Sequence, residues 1–455
     1  MGYETFSREE LIRLLLQQQA KIAQLEATIL QLQEELKATH KDSSSSSKPP
    51  ASDFPKRNRS LREKSGKKSG GQKGHIGATR LLTATPDIMV DCRPDNCLGC
   101  GQSLDGLPSA AVGKEQIIDI PPITPLITQY NQLQVVCPCC GAINNGTLPH
   151  GVSGVIRIGD TIRAFTAYLN AVHHLPYDRL TVLFSDLFNL DISEGSIHTM
   201  LIEAGEKGHG LYQKIKNIVN TASFRGSDET GVRVGGKTWW EWVWQNIRAS
   251  YYVISTSRGK NVVSQEMPDE YDGVHISDCW CAQNNTLAAH HQLCHEHLKR
   301  ELKFFIDINK SKWAYAWYTF LIKSSKARDS LWQLPKPLRN QGISWYKNKL
   351  NQLLSLSATA DKEKTLQKRF LKHKDKILTF MNYPDVPPNN NSSEQVIRKS
   401  KVKMKVSGGF RSEQGAKTYA ILLSIIETCK KQHLNILQAI QDMLQGIDIS
   451  TQFAT

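Results

Sequence analysis

Three acids far apart in the chain constrain its fold more than any other feature. Asp228 lies in Gly-Ser-Asp-Glu-Thr-Gly, within a strand-like run from Phe224 to Val234. Asp278 ends the short apolar run Val-His-Ile-Ser-Asp, and Glu394 opens a helix-like run in Asn-Asn-Asn-Ser-Ser-Glu. Taken singly, each has a simple structural account. Asp228 reads as a turn residue before Gly231, and Glu394 as the N3 member of a capping box with Asn391 as N-cap. Taken together, an acid in a strand, one at a strand end and one on a late helix predict a mixed α/β domain whose elements bring all three to one point.

That order is the layout of a ribonuclease-H-like mixed sheet. Three converging carboxylates suit two Mg²⁺ (or Mn²⁺) ions, which clamp the attacking and leaving oxygens of phosphoryl transfer. Arg398 lies one helical turn beyond Glu394. Lys399, Lys401, Lys403, Lys405 and Arg411 follow, around Ser407-Gly-Gly-Phe410. Arg398, Lys403, Lys405 and Arg411 are expected to meet a phosphate backbone passing the acids. A solvated charged face is the competing account of the same run.

Charge supports a polyanionic partner. The net charge is +14, and between Lys48 and Arg80 ten Lys/Arg stand against only Asp53 and Glu63. Residues 41–80 are poor in apolar groups and read as a basic disordered linker. Lys67, Lys68 and Lys73 within it are expected to contact DNA. Gly66-Lys67 is not a phosphate-binding loop, because the required upstream glycine and strand are missing. Residues 8–38 repeat Leu15, Ile22, Ile29 and Leu36 every seven, with Leu11, Gln18, Leu25 and Leu32 as the second seam. This predicts a coiled-coil helix and, through it, a homo-oligomer. No run is long and apolar enough for a membrane span, and the N-terminal residues do not read as a secretory signal.

Cys97-x-x-Cys100 and Cys137-x-x-Cys140 predict a structural Zn²⁺ held by four thiolates, with Ile117–Tyr130 forming a hairpin or sheet between the two knuckles. Cys139 reads as a bystander, and Cys92 as a weaker spare. Cys294 and His297 stand three apart on a predicted helix. Two accounts fit them: a second metal completed by Cys279 or Cys281, or packing behind the Asp278 strand. A Gly-x-Ser-x-Gly elbow is missing, which argues against serine hydrolase chemistry. Tyr177–Phe188, the turn Asn189-Leu190-Asp191 and a helix opened by Ser193 read either as a helix-turn-helix or as two ordinary packed helices. Strands are predicted at Trp239–Trp244, Tyr251–Ser255 and Gly273–Asp278. Helices are predicted over 287–308, over much of 310–380 and from Ser393 to the end.

With these segments in place, the chain resembles a transposase of insertion-sequence family 66 along nearly its whole length. The resemblance is carried by Ser46-Ser-Lys-Pro-Pro50, Gly70-Gly-Gln-Lys-Gly-His75, the Cys-x-x-Cys pair around Ile120-Pro-Pro122 and His174-Leu-Pro-Tyr-Asp-Arg179. Asp228-Glu-Thr-Gly231, Gly273–Asp278, Cys294-x-x-His297-x-x-Arg300, Asn390-Asn-Ser-Ser-Glu394-x-x-x-Arg398 and Ser407–Gly415 carry it further. It implies a DDE transposase with Asp228, Asp278 and Glu394 as metal ligands. It also implies a ribonuclease-H-like core broken by a helical insertion, DNA ends and target DNA as partners, and element-encoded accessory proteins. A cytoplasmic, nucleoid-associated place in a prokaryotic cell follows from the same resemblance. Cys279 and Cys281 depart from its pattern.

The expected organisation is a coiled-coil helix (1–40), the basic linker (41–80), a zinc module (81–150) and a helical DNA-binding region (151–221). The first part of the core (222–310), the helical insertion (311–385) and the last part of the core (386–455) follow. A non-catalytic DNA-binding relative and an assembly protein built on residues 8–38 are the alternatives.

Overall fold

The structure, a computed structural model, describes residues 8–39 (side chains for 16–31), 70–72, 74–77, 80–149, 156–267, 270–279 and 288–453. Lys67, Lys68, Lys73 and Cys281 lie outside these. The chain divides into two units, Arg59–Thr128 and the remainder. Helix α1 (Arg8–Thr39) is continuous, and its seam residues Ile22, Leu25 and Ile29 are exposed.

Each cysteine knuckle is a tight turn. Gly101 N–H donates to Cys97 O at 2.8 Å, and Gly141 N–H donates to Cys137 O at 2.9 Å. Gly101 and Gly141 take φ of 75° and 71°, the left-handed region that glycine reaches without strain. Around the second knuckle, β1 (Gln134–Val136) pairs antiparallel with β2 (Ile143–Asn145). The hairpin or sheet expected over Ile117–Tyr130 is not formed, and that stretch carries no regular structure. Pro121, Pro122 and Pro125 remove backbone donors there, and Ile117, Ile118, Leu126 and Ile127 are exposed rather than buried on one face.

Five described strands build one sheet: β3 (Phe224–Val234), β4 (Lys237–Gln245), β5 (Ser250–Ser255), β6 (Tyr271–Ser277) and β7 (Ala288–Leu293), all but the last rich in aromatic or β-branched residues. The order is β5-β4-β3-β6-β7. β3, β4 and β5 are antiparallel, while β6 and β7 continue parallel to β3. This mixed topology is compatible with a ribonuclease-H-like core. Residues 287–308 are therefore not all helix: 288–293 form β7, and the helix begins only at His295.

Two apolar cores flank the sheet. One joins α2 (Asp160–Val172), α3 (Tyr177–Phe188) and α4 (Glu194–Asn220) to Trp242, Trp244 and Tyr252 of the sheet and to the C-terminal helices. Trp242 and Trp244 are fully buried and stack with ring centroids 5.7 Å apart. Ser193 caps α4 by accepting from Ser196 N–H. α4 runs on to Asn220, because Leu211, Ile215 and Val219 remain on its buried face. After the short α5 (Lys260–Glu266), a second core forms under α6 (His295–Asn309), α7 (Lys312–Trp332), α8 (Lys336–Leu354) and α9 (Asp361–Lys372). Trp317, Phe370 and Phe380 meet Val274 and Ile276 in it. The chain closes with α10 (Asn391–Ser407), α11 (Glu413–Lys431) and α12 (Ile436–Leu444). Among the described residues, no helix is long and apolar enough to cross a membrane.

Candidate active site

β3 is the central strand, and Asp228 lies in its middle, opposite Val243 of β4. On its other side β3 pairs with β6, with Gly226 beside Ile276. The pairing ends there; Asp228 and Asp278 each follow two residues beyond this last pair, and the Asp278 charge acts on Asp228. Asp278 follows the last residue of β6. Burial, then the negative charges of Glu229, Asp278 and Glu394, hold the Asp228 carboxyl well above the usual carboxylate range. Glu229 N–H donates to Asp228 Oδ1 at 2.9 Å and partly opposes that rise. Asp228 is thus a strand residue rather than part of a turn.

Glu394 reaches the strands because α10 starts almost on top of β3. Gly226 makes this possible: a Cβ there would collide with Asn390 Oδ1 and Ser393 Oγ. The helix N-cap is Asn390 rather than Asn391, and its side chain is not used for capping. Asn390 Nδ2 donates to Ser227 O at 2.5 Å, and Ser393 Oγ donates to Asn390 Oδ1 at 2.6 Å. From β4, Gln245 Nε2 donates to Ser392 Oγ at 2.5 Å and to Ser393 Oγ at 3.1 Å. Lys431 in turn donates to Gln245 Oε1. Glu394 is therefore free of a capping box. Asn390 and Ser393 stand in the motif that carries the resemblance, but their contacts with Gly226, Ser227 and Gln245 have no signal in the sequence.

The start of α6 forms the other wall. His295 N–H donates to Pro388 O at 3.0 Å, and Asn390 N–H donates to Cys294 Sγ at 3.1 Å. Arg300 forms an ion pair with Glu394 Oε1, and His297 Nε2 lies 3.6 Å from the same oxygen. Arg398 approaches Glu394 Oε2 at 3.8 Å. Ligating atoms of Cys294, His297 and Glu394 all lie within 4.8 Å of one another. Burial pushes the Cys294 thiol up to about 12 and the His297 imidazole down to about 4. Cys279 points elsewhere. Burial raises its thiol to about 11, and it is hydrogen-bonded to Arg369, which pairs with Glu301 through two hydrogen bonds.

The basic strip splits in two. Arg398, Lys405 and Arg411 are exposed. Lys403 is buried, 5% exposed, with its ammonium 5.6 Å from the Tyr419 ring centroid. The expectation that Lys403 meets DNA is thereby corrected: α10 carries Lys399 and Lys403 on an inner face, and Lys399 pairs with Glu427. Cys97 and Cys100 belong to one unit, and Cys137 and Cys140 to the other. Backbone N–H groups of Gly99 and Cys100 lower the Cys97 thiol, and those of Cys140 and Cys139 lower that of Cys137.

Two family models match. One, described as "Transposase IS66 family", covers residues 156–418, and one described as a family of unknown function (DUF6444) covers residues 4–81. A protein of Sinorhizobium fredii, named only as uncharacterized protein y4jO, is 28% identical over 128 residues. That match spans 27% of this chain and 40% of the relative.

Proposed function

We propose, from the premise that the chain belongs to the IS66 transposase family, that it cuts DNA strands at the ends of a mobile element and joins the freed 3′ ends to target DNA. One observation carries this reading: Asp228, Asp278 and Glu394 come from a central strand, the end of its parallel neighbour and the first turn of α10, yet lie close enough for the last two charges to act on the first. Carboxylates so near one another repel, and a divalent cation relieves that repulsion. Their all-oxygen donor set suits hard Mg²⁺ or Mn²⁺. Two such ions would supply Lewis-acid polarisation of the scissile phosphate and an activated water.

The chain's own residues position. β3 and the end of its parallel neighbour β6 carry the two aspartates, in a sheet read as a ribonuclease-H-like core with α7–α9 as its helical insertion. Asn390, Ser393 and Gln245 fix the angle at which α10 presents Glu394. Arg300 holds the Glu394 carboxylate, and Arg398, Lys405 and Arg411 give the phosphate backbone a positive edge beside it. Around this centre, α1 would join copies of the chain, the basic linker would lie along DNA, and Cys97, Cys100, Cys137 and Cys140 would hold a structural Zn²⁺.

The test is Mg²⁺-dependent nicking of DNA carrying the element ends. Wild-type protein should nick, while Asp228→Asn, Asp278→Asn and Glu394→Gln should each abolish nicking and leave end binding largely intact. A Glu394→Gln protein that nicks at the wild-type rate would remove that residue from the chemistry. Binding with no nicking by the wild type would favour a non-catalytic DNA-binding protein.

A further inference from the structure

We propose that Cys294, His297 and Glu394 form a site for a soft divalent cation of the zinc class, and that its occupancy withdraws Glu394 from the pair Asp228 and Asp278. The sulfur, imidazole and carboxylate ligands lie within 4.8 Å of one another. They come from two elements, the first turn of α6 and the first turn of α10, so the closure is chelating rather than local. Cys294 stands at the N-cap of α6 and already accepts a hydrogen bond from Asn390 N–H at 3.1 Å.

His297 completes the same geometry. Its Nε2 faces Glu394 at 3.6 Å, while its Nδ1 is buried without a hydrogen-bond partner. This differs from the metal account read from sequence, because the third ligand is Glu394 rather than Cys279, while Cys294 is also buried behind the Asp278 strand, its N–H donating to Ser277 O at 2.8 Å.

The donor set selects the metal. Thiolate and imidazole disfavour Mg²⁺ and favour Zn²⁺, and three protein ligands leave a fourth tetrahedral position to water. On ligation the Cys294 thiol releases its proton to solvent. Arg300 competes for Glu394 Oε1, so this site should bind more weakly than a closed structural one. A carboxylate turned to Cys294 and His297 cannot also serve the aspartates, so zinc should inhibit the Mg²⁺-dependent reaction. Cation binding stands without the transposase reading; the inhibition rests on it.

The experiment measures Zn²⁺ retained per chain at equilibrium in the purified full-length protein, and nicking at fixed Mg²⁺ as Zn²⁺ is raised. Cys294→Ser keeps an acceptor for Asn390 N–H, and Glu394→Gln leaves the core untouched. Each should retain one zinc fewer than wild type, whatever Cys97, Cys100, Cys137 and Cys140 hold. Inhibition of Cys294→Ser, relative to its own zinc-free rate, should need at least ~10-fold more Zn²⁺ than wild type, the usual scale for disturbing a ligand set. Equal zinc content in all three proteins overturns the site. Equal zinc sensitivity overturns the inhibition. If no protein nicks at all, the transposase reading fails, but the zinc count still decides the site.

Discussion

Asn390 donates its side-chain amide to the carbonyl of Ser227 at 2.5 Å, and so ties the turn before the Glu394 helix to the strand position next to Asp228. This hydrogen bond and the absence of a side chain at Gly226 set where α10 begins relative to β3. Asn390→Ala should cost about 1–3 kcal/mol, because it removes two buried hydrogen bonds, to Ser227 O and from Ser393 Oγ. Gly226→Ala should cost a similar ~1–3 kcal/mol by overpacking. Both should lower nicking far more than end binding. Thermal unfolding read beside nicking checks this, and a Gly226→Ala protein with normal nicking would show that the close approach is not needed.

Much of this arrangement was legible in the chain, for local reasons. The Trp-rich run of β4 and the apolar run ending at Asp278 are strong strand formers, and Ser193 announces the start of α4. β7 was not legible. Ala-Ala-His-His-Gln-Leu has no β-branched residue and becomes a strand by pairing with β6. Gly226 could not reveal its neighbours, since Asn390 and Ser393 lie more than 160 positions later. The burial of Lys403 was partly legible. On a 3.6-residue period Arg398, Lys401 and Lys405 share one face, while Lys399 and Lys403 turn about 100° away per residue step.

Glu241 is fully buried in β4, accepts a hydrogen bond only through one oxygen, from Ser400 Oγ, and is held by burial at about 8. An acid raised in the fold contributes stability below its unfolded value, near 4.5, that is lost as pH rises through about 8. Glu241→Gln removes that dependence. The difference in unfolding free energy between variant and wild type should therefore move in the variant's favour from pH 5 to pH 9, by on the order of 2–4 kcal/mol. Buried His295, lowered to about 4, destabilises both proteins alike in acid and cancels in the difference. A difference that stays flat with pH would show that Glu241 remains ionised.

Arg300 and a divalent cation compete for the Glu394 carboxylate. Replacing the guanidinium by an apolar chain removes a positive charge from the metal's neighbourhood. Arg300→Met should therefore bind Mg²⁺ more tightly, by about 3–10-fold for a partly buried pair. Direct calorimetric titration of the DNA-free protein measures this without reference to activity. Weaker binding in the variant would mean that Arg300 assembles the acids rather than competing at them.

The two faces of α10 should separate in salt. Taking one cationic side chain off the phosphate backbone lowers the slope of log affinity against log salt by about 0.9 on duplex DNA. Lys405→Ala and Arg411→Ala, at exposed positions, should each flatten the slope by about that amount. Lys403 is buried, lowered by burial to about 8, and offered only a 3.5 Å hydrogen bond to Asn170 O and the Tyr419 ring. Lys403→Met should leave the salt slope unchanged. It should also raise the unfolding midpoint, because an apolar chain of similar shape avoids desolvating a cation. Fluorescence anisotropy across a salt series, with unfolding on the same samples, distinguishes the faces. A flattened slope for Lys403→Met would put that ammonium on the DNA after all.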